Sequence, residues 1–160
     1  MSDLHTYATT TTWTGNTGTG TSGYTAYERS HTITAAGKPP LAASSDPAFR
    51  GDPAKYNPEE LLLASVSGCH MLWYLHLCAV HQVTVIAYTD ETSGEMRTGA
   101  DGGGRFTGIV LRPRIVLGDP DKAALALSLH HKAHELCFIA NSLNFPVIVE
   151  PQILTTDERI

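Results

Sequence analysis

The order of sequence patterns along this chain of 160 residues predicts an α+β protein. Two segments with helical start signals, at residues 57–81 and 119–137, alternate with segments rich in β-branched and aromatic residues. The sequence shows no internal repeats and no heptad pattern. A chain of this length fits one domain, and we therefore expect a single domain over residues 1–160.

The N-terminal part predicts a β-hairpin followed by a long loop. Residues 5–14 and 24–34 are rich in Thr and aromatic side chains, which favour the pleated surface of a sheet. Residues 15–20 contain three glycines and predict the turn between them. Residues 35–56 contain four prolines and two glycines, which predicts a loop, and a loop of this length typically covers a site.

The first helix has a clear start signal. Asn57 can act as the N-cap, Pro58 suits the first helical position, and Glu60 stands where a capping box needs it. We predict that the helix ends at about His81. Its apolar residues lie nearly all round the helix, which predicts burial on all sides.

One segment of this helix also satisfies a simple test for a membrane span. Residues 61–80 contain no charged residue and are long enough to cross a bilayer. The same segment holds two serines, a glycine and two histidines, and no basic residues flank it. These features favour a buried core helix, and we expect no membrane partner.

The rest of the chain predicts strands on either side of a second helix. Residues 83–92 predict a strand, with a turn at Ser93-Gly94 and another at residues 99–104. Residues 105–117 predict the next strand, in which Pro113 indicates an edge or a bulge.

A second cap signal precedes the last elements. Asp119-Pro120 repeats the pattern of an N-cap followed by proline, so we predict a helix over residues 121–137. Residues 145–154 then predict a closing strand.

Composition excludes several classes of partner and compartment. The formal net charge is −5 with no cluster of Lys or Arg, which argues against nucleic acid or an anionic membrane surface. The first residues lack the basic and apolar regions of a secretory signal. A secreted disulfide framework usually has a larger and even number of cysteines, whereas this chain has three, so we expect a cytoplasmic protein.

The three cysteines are the first candidates for chemistry. Cys69 and Cys78 are nine residues apart on one predicted helix, which places them about 180° apart and prevents a disulfide between them. Cys137 lies near the end of the second predicted helix, so contacts of Cys137 with either Cys69 or Cys78 stay open. Each cysteine could instead be a small core residue.

The helix face that carries Cys69 also presents apolar side chains. We predict that they form a substrate pocket with an aromatic wall, suited to an apolar substrate. The predicted pocket residues are Leu62, Val66, Leu72 and Trp73.

His130, His134 and Cys137 have the spacing of metal ligands on a helix. Separations of four and three residues place them on one stripe. A polar helix face with histidines near the C-terminus is the alternative, and no fourth ligand is evident nearby. We therefore predict no metal, and a His/Cys metal-binding protein stays as an alternative function.

Two motifs resemble those of the OsmC/Ohr family of osmotically inducible and organic hydroperoxide resistance proteins. The first runs Asn57-Pro58-Glu59-Glu60-Leu61-Leu62-Leu63-Ala64-Ser65 and leads to Ser67-Gly68-Cys69-His70. The second runs Ala133-His134-Glu135-Leu136-Cys137 and is followed by Asn141-Ser142. The order of predicted elements is also similar to that of the family, over nearly the whole chain.

The resemblance implies a fold and an activity. The fold is an intertwined α+β homodimer, in which antiparallel sheets pack around a long buried helix that bears the first cysteine. The activity is that of an organic hydroperoxide reductase. Cys69 attacks the O–O bond and becomes a sulfenic acid, Cys137 forms a disulfide with it, and a dithiol such as a lipoyl protein reduces that disulfide. No cofactor is implied.

Charged residues of the family site match this sequence only in part. Glu59 stands where the Ohr branch has a glutamate that orients an arginine at the reactive thiol. Glu59 is ten residues from Cys69, about 15 Å along a continuous helix, so it would have to come from the second subunit unless the helix starts later. A plain helix-start glutamate is the alternative.

The family's arginine in the first hairpin turn is missing here. Arg50, before the cysteine helix, or Arg29, after the turn, is expected to supply the charge that lowers the thiol pKa, with a slight preference for Arg50. Phe138 follows Cys137 where the family often has proline. These departures indicate a divergent OsmC-like branch, for which a non-catalytic protein that binds a hydrophobic small molecule is the alternative to a peroxidase.

Overall fold

The computed structural model describes residues 3–154. Contacts along the backbone divide the chain into two compact units, Met1–Leu61 and Leu62–Ile160. The described residues form both α-helices and β-strands, which confirms the α+β class. The expectation of a single domain over the whole chain stays a prediction.

The first unit holds a three-stranded antiparallel sheet. Strand β1 (Thr10–Trp13) pairs with β2 (His31–Thr34), and β2 pairs with β3 (Leu41–Ala43). The β1–β2 pair confirms the predicted N-terminal hairpin. Strand β3 lies inside the segment predicted as a loop, because three residues are too few to show the alternation by which a strand is predicted.

The hairpin turn depends on Asn16 and two glycines. The Asn16 side-chain oxygen accepts hydrogen bonds from the backbone N–H groups of Gly18 and Gly20, at 2.9 and 3.0 Å. Gly18 and Gly20 have φ angles of 121° and 57°, in the region that glycine adopts without a steric penalty. The glycine-rich run is therefore a turn, as the sequence predicts.

Helix α1 spans Pro58–Val80 and begins with the predicted capping box. The Asn57 side chain accepts a hydrogen bond from the Glu60 N–H at 2.8 Å, and the Glu60 carboxylate accepts one from the Asn57 N–H at 3.1 Å. These two bonds satisfy backbone donors that a helix start leaves free. The helix ends one residue before the predicted end.

Burial along α1 follows one stripe and does not extend all round the helix. Its buried residues recur every four positions, and they are Val66, His70, Tyr74 and Cys78. Leu72 and Val80 are 65% and 62% exposed. The prediction that α1 is buried on all sides is therefore wrong within a single chain. Apolar side chains along a helix do not indicate which helix face the rest of the chain covers. By length and composition alone α1 could cross a membrane, a test that core helices also meet.

The second unit contains two sheets of three strands. In the first sheet, β7 (Pro113–Leu117) is the central strand between β4 (Val85–Asp90) and β9 (Gln152–Leu154). Strands β4 and β7 are antiparallel, whereas β7 and β9 are parallel. The expectation of purely antiparallel sheets is therefore wrong.

The second sheet has the same pattern. Strand β6 (Gly104–Leu111) is central, antiparallel to β5 (Ser93–Thr98) and parallel to β8 (Val147–Val149). The turn predicted at Ser93-Gly94 is wrong, because both residues lie in β5. The turn predicted around residues 99–104 is confirmed as the connection between β5 and β6.

Two segments predicted as single strands, residues 105–117 and 145–154, each divide between the two sheets. The break between β6 and β7 falls at Arg112, whose backbone N–H donates to the Asp90 carboxylate at 2.7 Å. The break between β8 and β9 falls at Glu150-Pro151, and proline has no N–H to offer a sheet. Continuous β propensity along the sequence does not reveal such a change of sheet.

Helix α2 spans Ala123–Leu136 and follows a short 3₁₀ turn at Pro120–Lys122. The Asp119 side chain accepts a hydrogen bond from the Asp121 N–H, as the predicted cap requires. Residues of α2 pack with α1 and β7 in one apolar cluster. Its buried members are Tyr74, Cys78, Val83, Ile115, Leu117, Ala126, Leu129 and Ala133.

Candidate active site

The thiols of Cys69 and Cys137 lie together. Cys69 is half-buried on α1, and Cys137 follows the last residue of α2 and is 0% exposed. Burial, together with the neighbouring Cys69 side chain, raises the pKa of the Cys137 thiol to about 11, against a backbone hydrogen bond from Ala140 that lowers it. The Ala140 N–H donates to the Cys137 sulfur at 3.5 Å. The two sulfur atoms are not joined by a disulfide bond.

Cys78 has a different environment. It is 1% exposed and belongs to the apolar cluster between α1 and α2. Burial raises the pKa of its thiol, and a hydrogen bond with Tyr74 partly offsets this. The sequence left open whether Cys137 contacts Cys69 or Cys78. In the structure Cys137 contacts Cys69.

An apolar cavity lies one turn beyond Cys69 on α1. It has a volume of about 300 Å³ and is lined by Leu72, Trp73, His76 and Phe138. Leu72 and Trp73 stand three and four residues after Cys69, on the same face of the helix. The ring of Trp73 meets that of Phe138 edge to face, at 5.5 Å between centroids.

Only half of the predicted pocket lines this cavity. Leu72 and Trp73 do, whereas Val66 is 0% exposed and packs with Ile109 and Leu111. Leu62 packs against the same cluster. Leu62 and Val66 do not line this cavity, because residues that share a helix face are divided by what the sheets cover, and their place in a substrate pocket stays a prediction.

Phe138 is a site residue that the sequence did not single out as such. It is 68% exposed and forms one wall of the cavity. In the sequence it appeared only as a departure from the family pattern. The signal that identifies it is its position, because an exposed aromatic residue directly after a buried cysteine is available to a substrate of that cysteine.

The two candidate arginines belong to the first unit and have different surroundings. The Arg29 guanidinium donates to the backbone oxygens of Tyr27 and Tyr24, at 2.7 and 2.8 Å, and lies over both rings. Arg50 has a left-handed backbone with φ of 65°, and its guanidinium carbon is 5.9 Å from the Tyr24 ring centre. Among residues 3–154 the Arg50 side chain has no hydrogen bond partner, so Arg50 is the arginine that is free to bind another group.

Glu59 lies in the first turn of a continuous α1. The helix begins at Pro58, so a later start that would bring Glu59 toward Cys69 is excluded. One carboxylate oxygen of Glu59 has no hydrogen bond partner within the described residues. This oxygen is buried, and a neighbouring cation would satisfy it.

A buried pair of histidines joins α1 and α2 close to the cysteines. His70 and His130 are 0% and 3% exposed, and the Nε2 atom of His70 lies 3.0 Å from the Nδ1 atom of His130. The ring of Tyr74 stacks on that of His130, with centroids 3.8 Å apart. The sequence did not single out His70 in this role.

Burial keeps both histidines neutral. Burial, together with His134 and partly opposed by Asp90, lowers the pKa of His70 to about 4. Burial, together with the neighbouring His70, lowers the pKa of His130 to about 3.

The three proposed metal ligands do not gather at one point. The structure turns His130 toward His70, and Cys137 toward Cys69. Over residues 3–154, no group of three His, Cys, Asp or Glu side chains has the arrangement needed to hold a metal ion. The expectation that the protein holds no metal stays a prediction.

Comparison with known proteins establishes the family. The family model described as "OsmC-like protein" matches residues 51–152, which include both cysteine motifs. The chain belongs to this OsmC-like family. A comparison with curated proteins finds no match.

Solved structures of OsmC-like proteins have the same fold. An OsmC-like protein of unknown function from Vibrio cholerae is 31% identical, with a TM-score of 0.78 over 92% of this chain and 99% of that chain. An organic hydroperoxide resistance protein OsmC from Legionella pneumophila is 18% identical, with a TM-score of 0.68 over 95% and 98% of the two chains. An organic hydroperoxide resistance protein from Elizabethkingia anophelis is also 18% identical, with a TM-score of 0.68 over 98% and 100%.

The histidine pair predicts a loss of stability in acid. The folded pKa values of His70 and His130 lie below the unfolded value of 6.5, so the unfolded chain binds more protons below that pH. Their contribution to the free energy of unfolding is complete above pH 6.5 and is lost as the pH falls toward 4. We expect a loss on the order of 5 kcal/mol between pH 7 and 4.5 from the two groups together, measured by urea unfolding.

A double variant, His70→Gln with His130→Asn, removes both titrations and should lose less stability over this range than the wild type. His131→Gln is the matched control, because His131 is exposed on the same helix. An equal loss in the double variant and the wild type would show that other groups cause the acid sensitivity.

Proposed function

We propose that this OsmC-like protein is a thiol peroxidase that reduces organic hydroperoxides to alcohols, with Cys69 as the attacking thiolate and Cys137 as the resolving thiol. The observation that carries the proposal is the contact between a half-exposed Cys69 and a fully buried Cys137. A peroxide meets the exposed thiol first. The buried Cys137 thiol lies beside the Cys69 sulfur that becomes oxidised.

The first step breaks the O–O bond. The Cys69 thiolate attacks the outer peroxide oxygen, the sulfur gains that oxygen as a sulfenic acid, and the alkoxide leaves and takes a proton to become the alcohol. The raised pKa of Cys137 keeps it protonated at neutral pH, so it does not compete for the peroxide.

The second step captures the sulfenic acid. The Cys137 sulfur attacks the Cys69 sulfur, a disulfide forms, and the hydroxyl leaves as water with the proton of the Cys137 thiol. A dithiol then reduces the disulfide by exchange, and a lipoyl protein is the dithiol that the family relationship favours. Because the cycle starts from reduced thiols, we place it in the cytoplasm.

The cavity beside Cys69 supports an apolar substrate. Its lining by Leu72, Trp73 and Phe138 offers contact area to an aryl or alkyl group, which hydrogen peroxide lacks. Two relatives of the same fold are named for organic hydroperoxide resistance, and this agrees with the proposed substrate class.

We assign the charge that activates Cys69 to Arg50. A nearby guanidinium favours the thiolate and lowers the thiol pKa. Arg29 is the second candidate, but its guanidinium is already bound to two backbone oxygens. In this proposal the free carboxylate oxygen of Glu59 orients the arginine.

We further propose that the protein is a homodimer. Apolar side chains stand exposed on α1, where Leu72 and Val80 lie, and on α2, where Leu125 and Leu127 lie. Burying such surfaces against a second copy is favourable. A partner subunit would also bring a second Glu59 to the site, and sedimentation equilibrium tests for a mass near twice that of the chain.

The proposed cycle predicts specific mass changes. One equivalent of cumene hydroperoxide should remove about two mass units from the reduced wild type within seconds, because a disulfide forms. Cys137→Ser should gain about one oxygen mass, because its sulfenic acid cannot be resolved, and Cys69→Ser should stay unchanged. Intact-protein mass spectrometry measures all three.

Cys78→Ser is the matched control and should behave as the wild type. A wild-type mass that stays constant over minutes would rule out the peroxidase and would favour a binding protein that holds a hydrophobic molecule in the cavity. With hydrogen peroxide the wild type should react at least tenfold more slowly, roughly the effect of losing one well-packed apolar group.

A substitution of Arg50 should slow the first step. Arg50→Ala removes the cation proposed to stabilise the thiolate, so we expect a decrease of roughly tenfold in the rate of peroxide consumption at pH 7. Arg50→Lys should retain part of the rate. Stopped-flow measurement of the reduced protein separates this step from resolution.

The matched control is Arg97→Ala, in the exposed strand β5. If Arg50→Ala keeps the wild-type rate while Arg29→Ala loses it, the activating charge belongs to Arg29.

A further inference from the structure

The His70–His130 pair lies between the two elements that carry the cysteines. His70 directly follows Cys69 on α1, and His130 lies on α2 seven residues before Cys137, the C-cap residue of that helix. Seven residues are close to two helical turns, so His130 and Cys137 share one side of α2. The two helices are therefore joined at two points, one between thiols and one between imidazoles.

The imidazole contact has a defined geometry. The ring nitrogens are 3.0 Å apart, within the range of a hydrogen bond, and the two ring planes differ by 10°. Tyr74, one turn after His70, stacks on His130 and limits its rotation. Both rings are enclosed, so water does not compete for the bond.

Burial of the two histidines lowers the free energy of unfolding, because two of their ring nitrogens lose hydrogen bonds to water. The Nδ1 atom of His70 and the Nε2 atom of His130 have no hydrogen bond partner within the described residues. Whichever ring donates the shared proton, one buried N–H and one buried lone pair stay unsatisfied. Two apolar side chains of similar shape would avoid this cost, which argues for a role of the imidazoles beyond filling the core.

We propose that the His70–His130 hydrogen bond sets the separation of α1 and α2 at which Cys137 reaches Cys69, so that both histidines are positioning residues for disulfide formation. Neither histidine touches the substrate. The inference rests on the proposed function, because it concerns its resolving step.

The chemistry of disulfides explains why such a device is needed. A disulfide forms only within a narrow range of Cα separations and side-chain dihedral angles. Cys137 lies just beyond the last turn of α2, where a helix end frays easily. A directional bond two turns earlier holds this end against α1, because a hydrogen bond fixes both a distance and an angle, whereas apolar contacts are non-directional.

Equilibrium with glutathione measures this positioning without any peroxide. The reduced protein and oxidised glutathione exchange to give the Cys69–Cys137 disulfide and two molecules of reduced glutathione, so electrons and protons balance. Peptide mapping by mass spectrometry gives the fraction of disulfide at each glutathione ratio. The equilibrium constant reports how well the fold brings the two sulfurs together.

Three variants separate positioning from packing. His130→Leu removes the hydrogen bond and should lower the equilibrium constant by roughly tenfold. His130→Asn places an amide where the Nδ1 atom stood, so it should recover most of the wild-type value. His131→Leu, at an exposed site next to it, should leave the constant unchanged.

Two results would overturn the proposal. The first is a His130→Leu variant that keeps the wild-type equilibrium constant with glutathione. The second is an equal decrease of that constant in His130→Leu and His130→Asn, which would assign the effect to packing. If circular dichroism shows that His130→Leu does not fold, two variants of His70 replace it. The amide of His70→Gln mimics the Nε2 atom, so this variant must keep the wild-type equilibrium constant. His70→Leu has no such group and must lower the constant. A wild type that forms the disulfide with glutathione but ignores cumene hydroperoxide would remove the peroxidase proposal alone, and the same variants would still decide the positioning proposal.

Discussion

The buried stripe of α1 is the constraint on which the second unit depends. Tyr74 and Cys78 pack with β7 and α2, whereas Val66 packs with Ile109 and Leu111 of β6. One side of one helix thus contributes to both apolar clusters. Because interiors are closely packed, a rotation of α1 would disturb both clusters together. The orientation of Cys69 is therefore set by residues that take no part in its chemistry.

The same stripe explains why the two thiols differ. Cys69 precedes the buried His70 by one position, so it lies at the margin of the stripe and keeps partial exposure. Cys137 comes from the end of α2 and is enclosed, which keeps it in the thiol form at neutral pH. Exposure and burial thereby divide the roles that we propose for attack and resolution. The polar pair behind them, His70 and His130, lies where the stripe meets α2.

Prediction from the sequence succeeded where the interaction is local. The capping box of Asn57 and Glu60 and the turn of Gly18 and Gly20 both form within a few residues, so the sequence contains all of their partners. It failed where a segment changes partner. The breaks at Arg112 and Pro151 separate strands that join different sheets, and no local signal marks which sheet a strand will join.

The sequence by itself determined the α+β class and the extent of the cysteine helix, and its resemblance to the family implied that Cys69 and Cys137 form the pair. Helix starts and turns depend on hydrogen bonds between near neighbours, and the family motifs include both cysteines. Only the tertiary structure decided that Phe138 forms a wall of the cavity, that Val66 belongs to the core, and that His70 binds His130. Each of these depends on which surfaces meet across a long separation in sequence, and periodicity within one helix does not contain that information.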